Sequence, residues 1–211
     1  MKAYIYVGGE ISPQNITEHP EDGDICIAAD SGYSNAKKLG VVPSVIVGDF
    51  DSIEQSDKDS ITEDTEIYEV PAKKDFTDTQ LAVKVALQKG ARKITIIGGL
   101  GGRLDHTFSN IGILENLYDN NIRAVITDGK NRIRYIKSSS ELIARSRYKY
   151  LSVIARDEKV KGVSIEGCKY PLQNATLSCK DQYAVSNEIE KNCALISVKK
   201  GGILIIESAD I

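Results

Sequence analysis

Short apolar runs rich in β-branched residues alternate, through the first two thirds of the chain, with longer stretches whose apolar residues recur every three or four positions. The runs at 3–7, 25–29, 45–47, 67–70, 94–97 and 124–127 read as strands, and several end directly in Gly or Asp. Between them, 31–39 closes with Gly40 and 77–89 closes with Gly90, the residue expected just past a helix C-terminus. The second of these helices places Leu81 and Val85, with Ala82 and Ala86, on one stripe. A third, over 105–118, is expected to bury Phe108, Ile111 and Leu114. This β-α alternation implies a mostly parallel sheet flanked by helices.

After Tyr135 the pattern changes. The runs 151–155, 161–167, 174–178, 194–198 and 202–208 are short, alternating or continuously apolar, and separated by turn residues. The last two suggest a hairpin with Gly201 and Gly202 in its turn. With no amphipathic helix in this stretch, a small all-β sandwich is the expectation. The fold class is therefore α/β, with a parallel-sheet domain over 1–136 and an all-β domain over 137–211.

Charge sharpens that division. The 211 residues carry 27 Lys plus Arg against 30 Asp plus Glu, a net charge of -3 that argues against coating nucleic acid or an anionic membrane. Residues 1–136 hold 15 basic and 21 acidic side chains, residues 137–211 hold 12 and 9, and 13 of the 17 glycines lie in the first part. An acidic, glycine-rich half invites a search for a metal and phosphate site. The four cysteines form no C-x-x-C pair and lie far from His19 and His106 in sequence, which argues against structural zinc. The N-terminus reads as a strand rather than a signal peptide, and no run approaches the ~18 apolar residues of a membrane span. A cytoplasmic protein with reduced cysteines is expected.

In an α/β sheet, ligands collect at the carboxyl ends of strands, and the carboxylates lie there. The run 25–29 leads into Asp30-Ser31-Gly32, and 45–47 into Gly48-Asp49-Phe50-Asp51-Ser52. In extended chain Asp49 and Asp51 point to the same side, and a hard divalent cation such as Mg²⁺ relieves their repulsion. Helix caps or Asx turns are the competing explanation, above all for Asp30. Lys74-Asp75-Phe76-Thr77-Asp78 opens a helix, so its acids either cap it or, beside Lys73 and Lys74, serve a metal-bound polyphosphate. In 98–106, four glycines among five residues precede Arg103, Leu104, Asp105 and His106. Such a loop is either a tight turn or an anion cradle in which Arg103 grips phosphate. It is neither a Walker A loop nor a G-x-G-x-x-G fingerprint. An aspartyl phosphatase using Asp49 as nucleophile is the competing enzyme. A sensor that binds a nucleotide or another small ligand without turnover is the non-enzymatic alternative.

In this order the elements resemble the thiamine pyrophosphokinase family. The resemblance rests on Ala29-Asp30-Ser31-Gly32, Val47-Gly48-Asp49-Phe50-Asp51-Ser52, Lys74-Asp75-Phe76-Thr77-Asp78, the segment from Gly98 to His106, Gly167-Cys168-Lys169-Tyr170-Pro171-Leu172 and Val185-Ser186-Asn187-Glu188. It implies a Rossmann-like N-terminal catalytic domain, a C-terminal β-sandwich that binds thiamine and dimerises, and a homodimer with active sites shared between subunits. It further implies transfer of diphosphate from ATP to thiamine, giving AMP and thiamine diphosphate. Carried over by position, Asp49, Asp51 and Asp78 resemble the Mg²⁺ ligands, and with Arg103 they form the catalytic set. Asp30, Lys74, Asp75, Thr77, Gly99, Arg103 and Asp105 fall around ATP; Tyr170, Ser186 and Asn187 around thiamine. Tyr170 stands where eukaryotic relatives carry Trp, so with no Trp in the chain a tyrosine is expected to face the thiamine ring.

Overall fold

In the computed structural model the described residues are 1–48, 61, 65–69 and 76–210. The chain divides into two compact units, Met1–Gly129 and Lys130–Ile211. The predicted boundary at 136/137 lies inside the first strand of the second unit.

The first unit holds strands β1 (Lys2–Tyr6), β2 (Ile25–Ala29), β3 (Val45–Gly48), β4 (Glu66–Glu69), β5 (Lys93–Ile97) and β6 (Arg123–Thr127). They pair in the order β4-β3-β2-β1-β5-β6, every pairing parallel. Parallel neighbours require crossovers, which the helices α1 (Gly32–Lys38), α2 (Asp78–Gln88) and α3 (Leu104–Asp119) provide within the described residues. Central strands covered on both faces need apolar side chains at every position. Ile25–Ala29 and Val45–Gly48 are buried throughout, and Ile5, Ile27, Ile46 and Ile96 are fully enclosed. Each such isoleucine contributes about 1.5–3 kcal/mol of burial energy.

The strand order also fixes where a ligand can enter. From β1 the chain steps outward through β2, β3 and β4, then returns to place β5 on the opposite side of β1. Connections therefore leave the carboxyl ends of β1 and β5 in opposite directions, which opens a crevice between them.

Helix ends follow the sequence signals, with one difference of phase. Gly40 and Gly90 take positive φ after α1 and α2, and Asn121 does the same after α3, where asparagine replaces the usual glycine. In α2, Ala82, Val83, Val85 and Ala86 are buried and Leu81 is only half-buried. In α3 the buried stripe is Asn110, Ile113, Leu114 and Leu117, whereas Phe108 is 65% exposed and Ile111 half-buried. The spacing i, i+3, i+4, i+7 is that of a packed helix face, and one of its four positions is the polar Asn110.

The second unit is all β. Strands β7 (Asn131–Lys137), β13 (Gly202–Ser208) and β9 (Tyr150–Ala155) pair antiparallel in that order. Strands β11 (Leu172–Leu177), β10 (Val160–Glu166), β12 (Cys193–Ser197) and β8 (Ser140–Ala144) pair antiparallel in theirs. The expected hairpin is therefore absent: β12 pairs with β10 and β8, while β13 pairs with β7 and β9. Gly201 and Gly202 carry the chain from one set of strands to the other. Gly201 sits at φ +103, a Cβ on Gly202 would lie 2.0 Å from the Tyr135 hydroxyl, and Gly202 N–H donates to Asp157 Oδ2 at 2.9 Å. Two small residues in a row resemble a turn in sequence, but here Gly202 makes room for a tyrosine and Gly201 for Asp157 and Val160.

Strand β7 escaped the sequence reading because Arg132 and Arg134 interrupt its apolar pattern. Both converge on Glu207 of β13, which is 2% exposed. Arg134 Nη2 donates to Glu207 Oε2 at 2.6 Å and Arg132 Nη1 lies 3.7 Å from the same oxygen. Pairing offsets the cost of enclosing these charges. Among the described residues, no helix is long and apolar enough to cross a membrane.

Candidate active site

The crevice predicted by the strand order exists as a cleft of about 340 Å³. Its wall includes Val7, Gly8, Gly9 and Glu10 after β1, Asp30 and Ser31 after β2, and Gly98 and Gly99 after β5. Thr77 and Asp78 at the start of α2 and Arg103, His106 and Asn110 of the α3 region complete it. These turns are packed together through their backbones. Gly9 N–H donates to the Gly98 carbonyl at 3.1 Å, and a Cβ on Gly98, at φ +83, would lie 2.5 Å from the Val7 oxygen. No side chain fits where the two turns cross.

Asp30 is the most constrained acid of the cleft. Its φ is +50, rare for a residue with a Cβ, and it is held there by N–H donation to Val47 O at 2.8 Å and by Tyr33 N–H donation to its own carbonyl at 3.2 Å. Its Oδ1 is buried and has no hydrogen-bond partner among the described residues. A strained backbone that holds an unmatched carboxylate oxygen in a cleft calls for a cation or a donor from a ligand.

Thr77 and Asp78 occupy different roles at the start of α2. Thr77 is the N-cap: its Oγ1 accepts from Gln80 N–H at 3.2 Å, and Gln80 Oε1 accepts from Thr77 N–H at 3.0 Å, a complete capping box. Asp78 is therefore not the cap, and it lines the cleft from the first turn. The predicted residues Asp49, Asp51, Lys74 and Asp75 lie outside the described residues. Among the described residues no three His, Cys, Asp or Glu side chains come together as a metal-holding group, but the acids that line the cleft, Glu10, Asp30 and Asp78, bring oxygen donors, the kind a hard cation such as Mg²⁺ takes.

On the other wall, Gly101 and Gly102 take φ +80 and +63 before α3. Arg103 reaches the cleft, but its fork is turned onto Asp105. Nε donates to Oδ1 at 3.2 Å and Nη2 to Oδ2 at 2.5 Å. The Arg103 guanidinium holds the exposed Asp105 carboxyl below the usual carboxylate range. Asp105 Oδ1 also accepts from His106 N–H at 2.9 Å, and Asp105 does not line the cleft. Its geometry is that of a partner holding Arg103 at the rim. Gly99, by contrast, lines the cleft.

Sequence reasoning missed Gly8, Gly9 and Glu10, although Val-Gly-Gly-Glu follows the first strand as openly as the other turns do. It also missed Asn35 and Asn110, whose only signal is an asparagine among apolar helix positions.

In the second unit, Tyr170, Ser186 and Asn187 are brought together. Asn187 N–H donates to the Leu151 carbonyl at 2.9 Å and the Asn187 carbonyl accepts from Leu151 N–H at 2.7 Å, fastening this segment to β9. The buried Asn187 side chain closes on Tyr170 from both sides, accepting from its N–H at 2.9 Å and donating to its carbonyl at 2.7 Å; Glu188 N–H donates to the same Oδ1 at 3.0 Å. Ser186 sits at φ +57 with its N–H on Ser152 Oγ at 3.0 Å, exposed to solvent. The Tyr170 ring is 59% exposed, with Lys169 Nζ 5.6 Å from its centroid. Asn187 thus holds the backbone that presents an open aromatic face.

Comparisons with known proteins agree with this division. The family model described as "Thiamin pyrophosphokinase, catalytic domain" matches residues 18–126, and "Thiamin pyrophosphokinase, vitamin B1 binding domain" matches 135–203. A thiamine pyrophosphokinase of Bacillus subtilis is 31% identical, with all of both chains covered. A thiamin pyrophosphokinase of Caenorhabditis elegans is 27% identical over 78% of this chain and 70% of its own length. Crystal structures of the enzymes from Bacillus subtilis and Geobacillus thermodenitrificans superpose with TM-scores of 0.92 and 0.87 at 29% and 28% identity. Each covers all of this chain, with 100% and 98% of its own chain matched. With one family model on each unit and a relative related end to end, the chain belongs to the thiamine pyrophosphokinase family.

Proposed function

We propose that the cleft of the first unit takes Mg²⁺ and ATP, and that the second unit presents thiamine through Tyr170 and Ser186 for transfer of diphosphate. The observation that carries the reading is Asp30: a buried carboxylate oxygen without a partner among the described residues, in a cleft that Asp78 and the glycine turns also line. The first unit is read as Rossmann-like and the second as a β-sandwich, assembled as a homodimer with shared active sites. The free cysteines Cys26, Cys168, Cys179 and Cys193 support a cytoplasmic setting.

Asp78, with Asp49 and Asp51 from outside the described residues and Asp30 in support, would hold a magnesium ion, which supplies neutralisation of phosphate charge. The chain's own part is positioning. The thiamine hydroxyl oxygen attacks the β-phosphorus in line, the bond from that phosphorus to the α,β-bridging oxygen breaks, AMP leaves, and the hydroxyl proton is lost. Arg103, released from Asp105, offers a bidentate fork to the oxygens that gain charge. Incubation with ATP and thiamine should yield AMP and thiamine diphosphate in equal amounts, followed by chromatography. ADP, or inorganic phosphate from a phosphomonoester, would overturn the assignment.

An exposed tyrosine face suits the cationic thiazolium ring of thiamine. Tyr170→Ala is expected to raise the thiamine KM about fivefold to thirtyfold, the equivalent of about 1–2 kcal/mol of cation–π contact. Because Asn187 holds Tyr170 by its backbone, Asn187→Ala should raise the same KM, but add less than about twofold when Tyr170 is already alanine. Four steady-state KM values decide this. Additive effects would mean that Asn187 meets thiamine independently of Tyr170.

A further inference from the structure

Two buried asparagines, neither of them among the residues assigned to metal, nucleotide or thiamine, hold the turns of the cleft. Asn35 of α1 is 3% exposed and Asn110 of α3 is 7% exposed. Asn35 Nδ2 donates to the carbonyls of Val7 and Gly9, both at 2.7 Å, while its Oδ1 accepts from Lys38 Nζ at 3.3 Å. Asn110 Nδ2 donates to the Gly99 carbonyl at 3.0 Å. One amide thus fastens the turn after β1 and the other the turn after β5, the two strands on either side of the reversal in strand order. Asn35 touches both turns: a Cβ on Gly98 would stand 3.0 Å from its Nδ2.

Burying an amide in a helix face is costly unless its donors are used. Here the donors are spent on three carbonyls in turns that line or adjoin the cleft. In a trans peptide the carbonyl and the following N–H point in opposite directions. Fixing the carbonyls of Val7, Gly9 and Gly99 therefore directs the N–H groups of Gly8, Glu10 and Leu100 away from the asparagines. A carbonyl left to swing in such a glycine turn would set its negative end against a polyphosphate, whereas an N–H would attract it. Glycine turns move at little cost, so they need an external fastening to keep one orientation.

We infer that Asn35 and Asn110 are positioning residues for the triphosphate, acting through the backbone of the turns they hold. The inference rests on the reading that this cleft takes ATP. It assigns the asparagines to the phosphates and not to the adenosine or thiamine.

The test compares Asn35→Leu and Asn110→Leu, which keep volume and remove the donor, with Arg103→Ala as a reference for the cleft. Steady-state KM is measured for ATP and thiamine well below each variant's Tm, with inhibition constants for inorganic triphosphate and adenosine. Misaligning a single N–H to a charged oxygen costs about tenfold. Each asparagine variant should therefore raise the ATP KM and the triphosphate inhibition constant by about that factor, with those for thiamine and adenosine within twofold. If Asn35→Leu fails to fold, Asn110→Leu, which loses one donated bond instead of two, carries the same expectation. A lower Tm with every constant unchanged would overturn the inference, since that is what a purely structural asparagine gives. If Arg103→Ala raises the ATP KM and neither asparagine variant does, the inference falls and the assignment of the cleft stands. If none of the three changes it, both fall.

Discussion

Asp78→Ala is expected to lower formation of AMP at least about a thousandfold, equivalent to about 4 kcal/mol of transition-state stabilisation, in a protein that remains folded. The separation of these effects follows from the local geometry. The cap of α2 is the reciprocal pair Thr77 and Gln80, so removing the Asp78 carboxylate leaves every bond of the capping box in place. What the helix loses is a negative charge in its first turn, worth about 0.3–1 kcal/mol. What the reaction loses is a carboxylate on the cleft wall, in the position that resembles a metal ligand. Asp78→Asn keeps the shape and half the donor capacity, and should recover little activity, because an amide oxygen carries no full charge against the cation. The measurements are AMP release by chromatography and thermal unfolding by circular dichroism. Activity within tenfold of the parent would remove Asp78 from the reaction; a collapse of Tm would mean that the carboxylate holds the helix after all.

Local signals carried most of the fold into the sequence reading, and non-local ones did not. The six strands of the first unit fall within about one residue of their expected positions; β2 and β3 do so because strands buried throughout require near-continuous apolar runs, whereas β4 is largely exposed. The side on which β5 would join β1 was not legible, since pairing between distant segments leaves no local trace, and with it went the exact place of the cleft. In the second unit strands β7 and β8 both went unread, and the loss of β7 and the missing hairpin share one cause. Side chains that look wrong for a strand, or right for a turn, are explained by partners remote in sequence: Glu207 for Arg132 and Arg134, Tyr135 for Gly202.

The candidate site divides in the same way. Strand-end carboxylates and glycine loops were visible because their residue types are unusual for a core. Asp30, Thr77, Asp78, Gly99 and Arg103 do line one cleft, while Asp105 serves Arg103 instead. Asn35 and Asn110 were invisible because an isolated polar residue on a helix reads as the solvent face. Only the carbonyls to which they donate, 26 and 28 residues away for Asn35 and 11 for Asn110, reveal their purpose.

Gly32→Ala is expected to destabilise the protein by about 3 kcal/mol or more, although alanine at a helical position ordinarily stabilises by about 1 kcal/mol. Gly32 is the first residue of α1, and a Cβ there would lie 2.0 Å from the Tyr6 carbonyl oxygen, 2.4 Å from its carbon and 2.7 Å from Val7 Cα. Every one of those atoms is backbone, so no rotamer change relieves the overlap. Tyr6 is 1% exposed and belongs to the central strand, bonded on both sides, so the helix must move instead. For a chain of this size the loss should lower Tm by about 6–12 °C. Gly40→Ala is the control: unlike Gly32 it has positive φ, yet nothing lies within 4 Å of its Cβ, so it should cost only the local strain of about 1 kcal/mol. Lifting α1 from β1 would also pull Asn35 from the Val7 and Gly9 carbonyls and disturb Asp30, which receives Tyr33 N–H. The ATP KM should therefore rise in whatever fraction folds. If the two alanine variants prove equally stable, the close crossing of α1 over β1 is not what requires glycine at position 32.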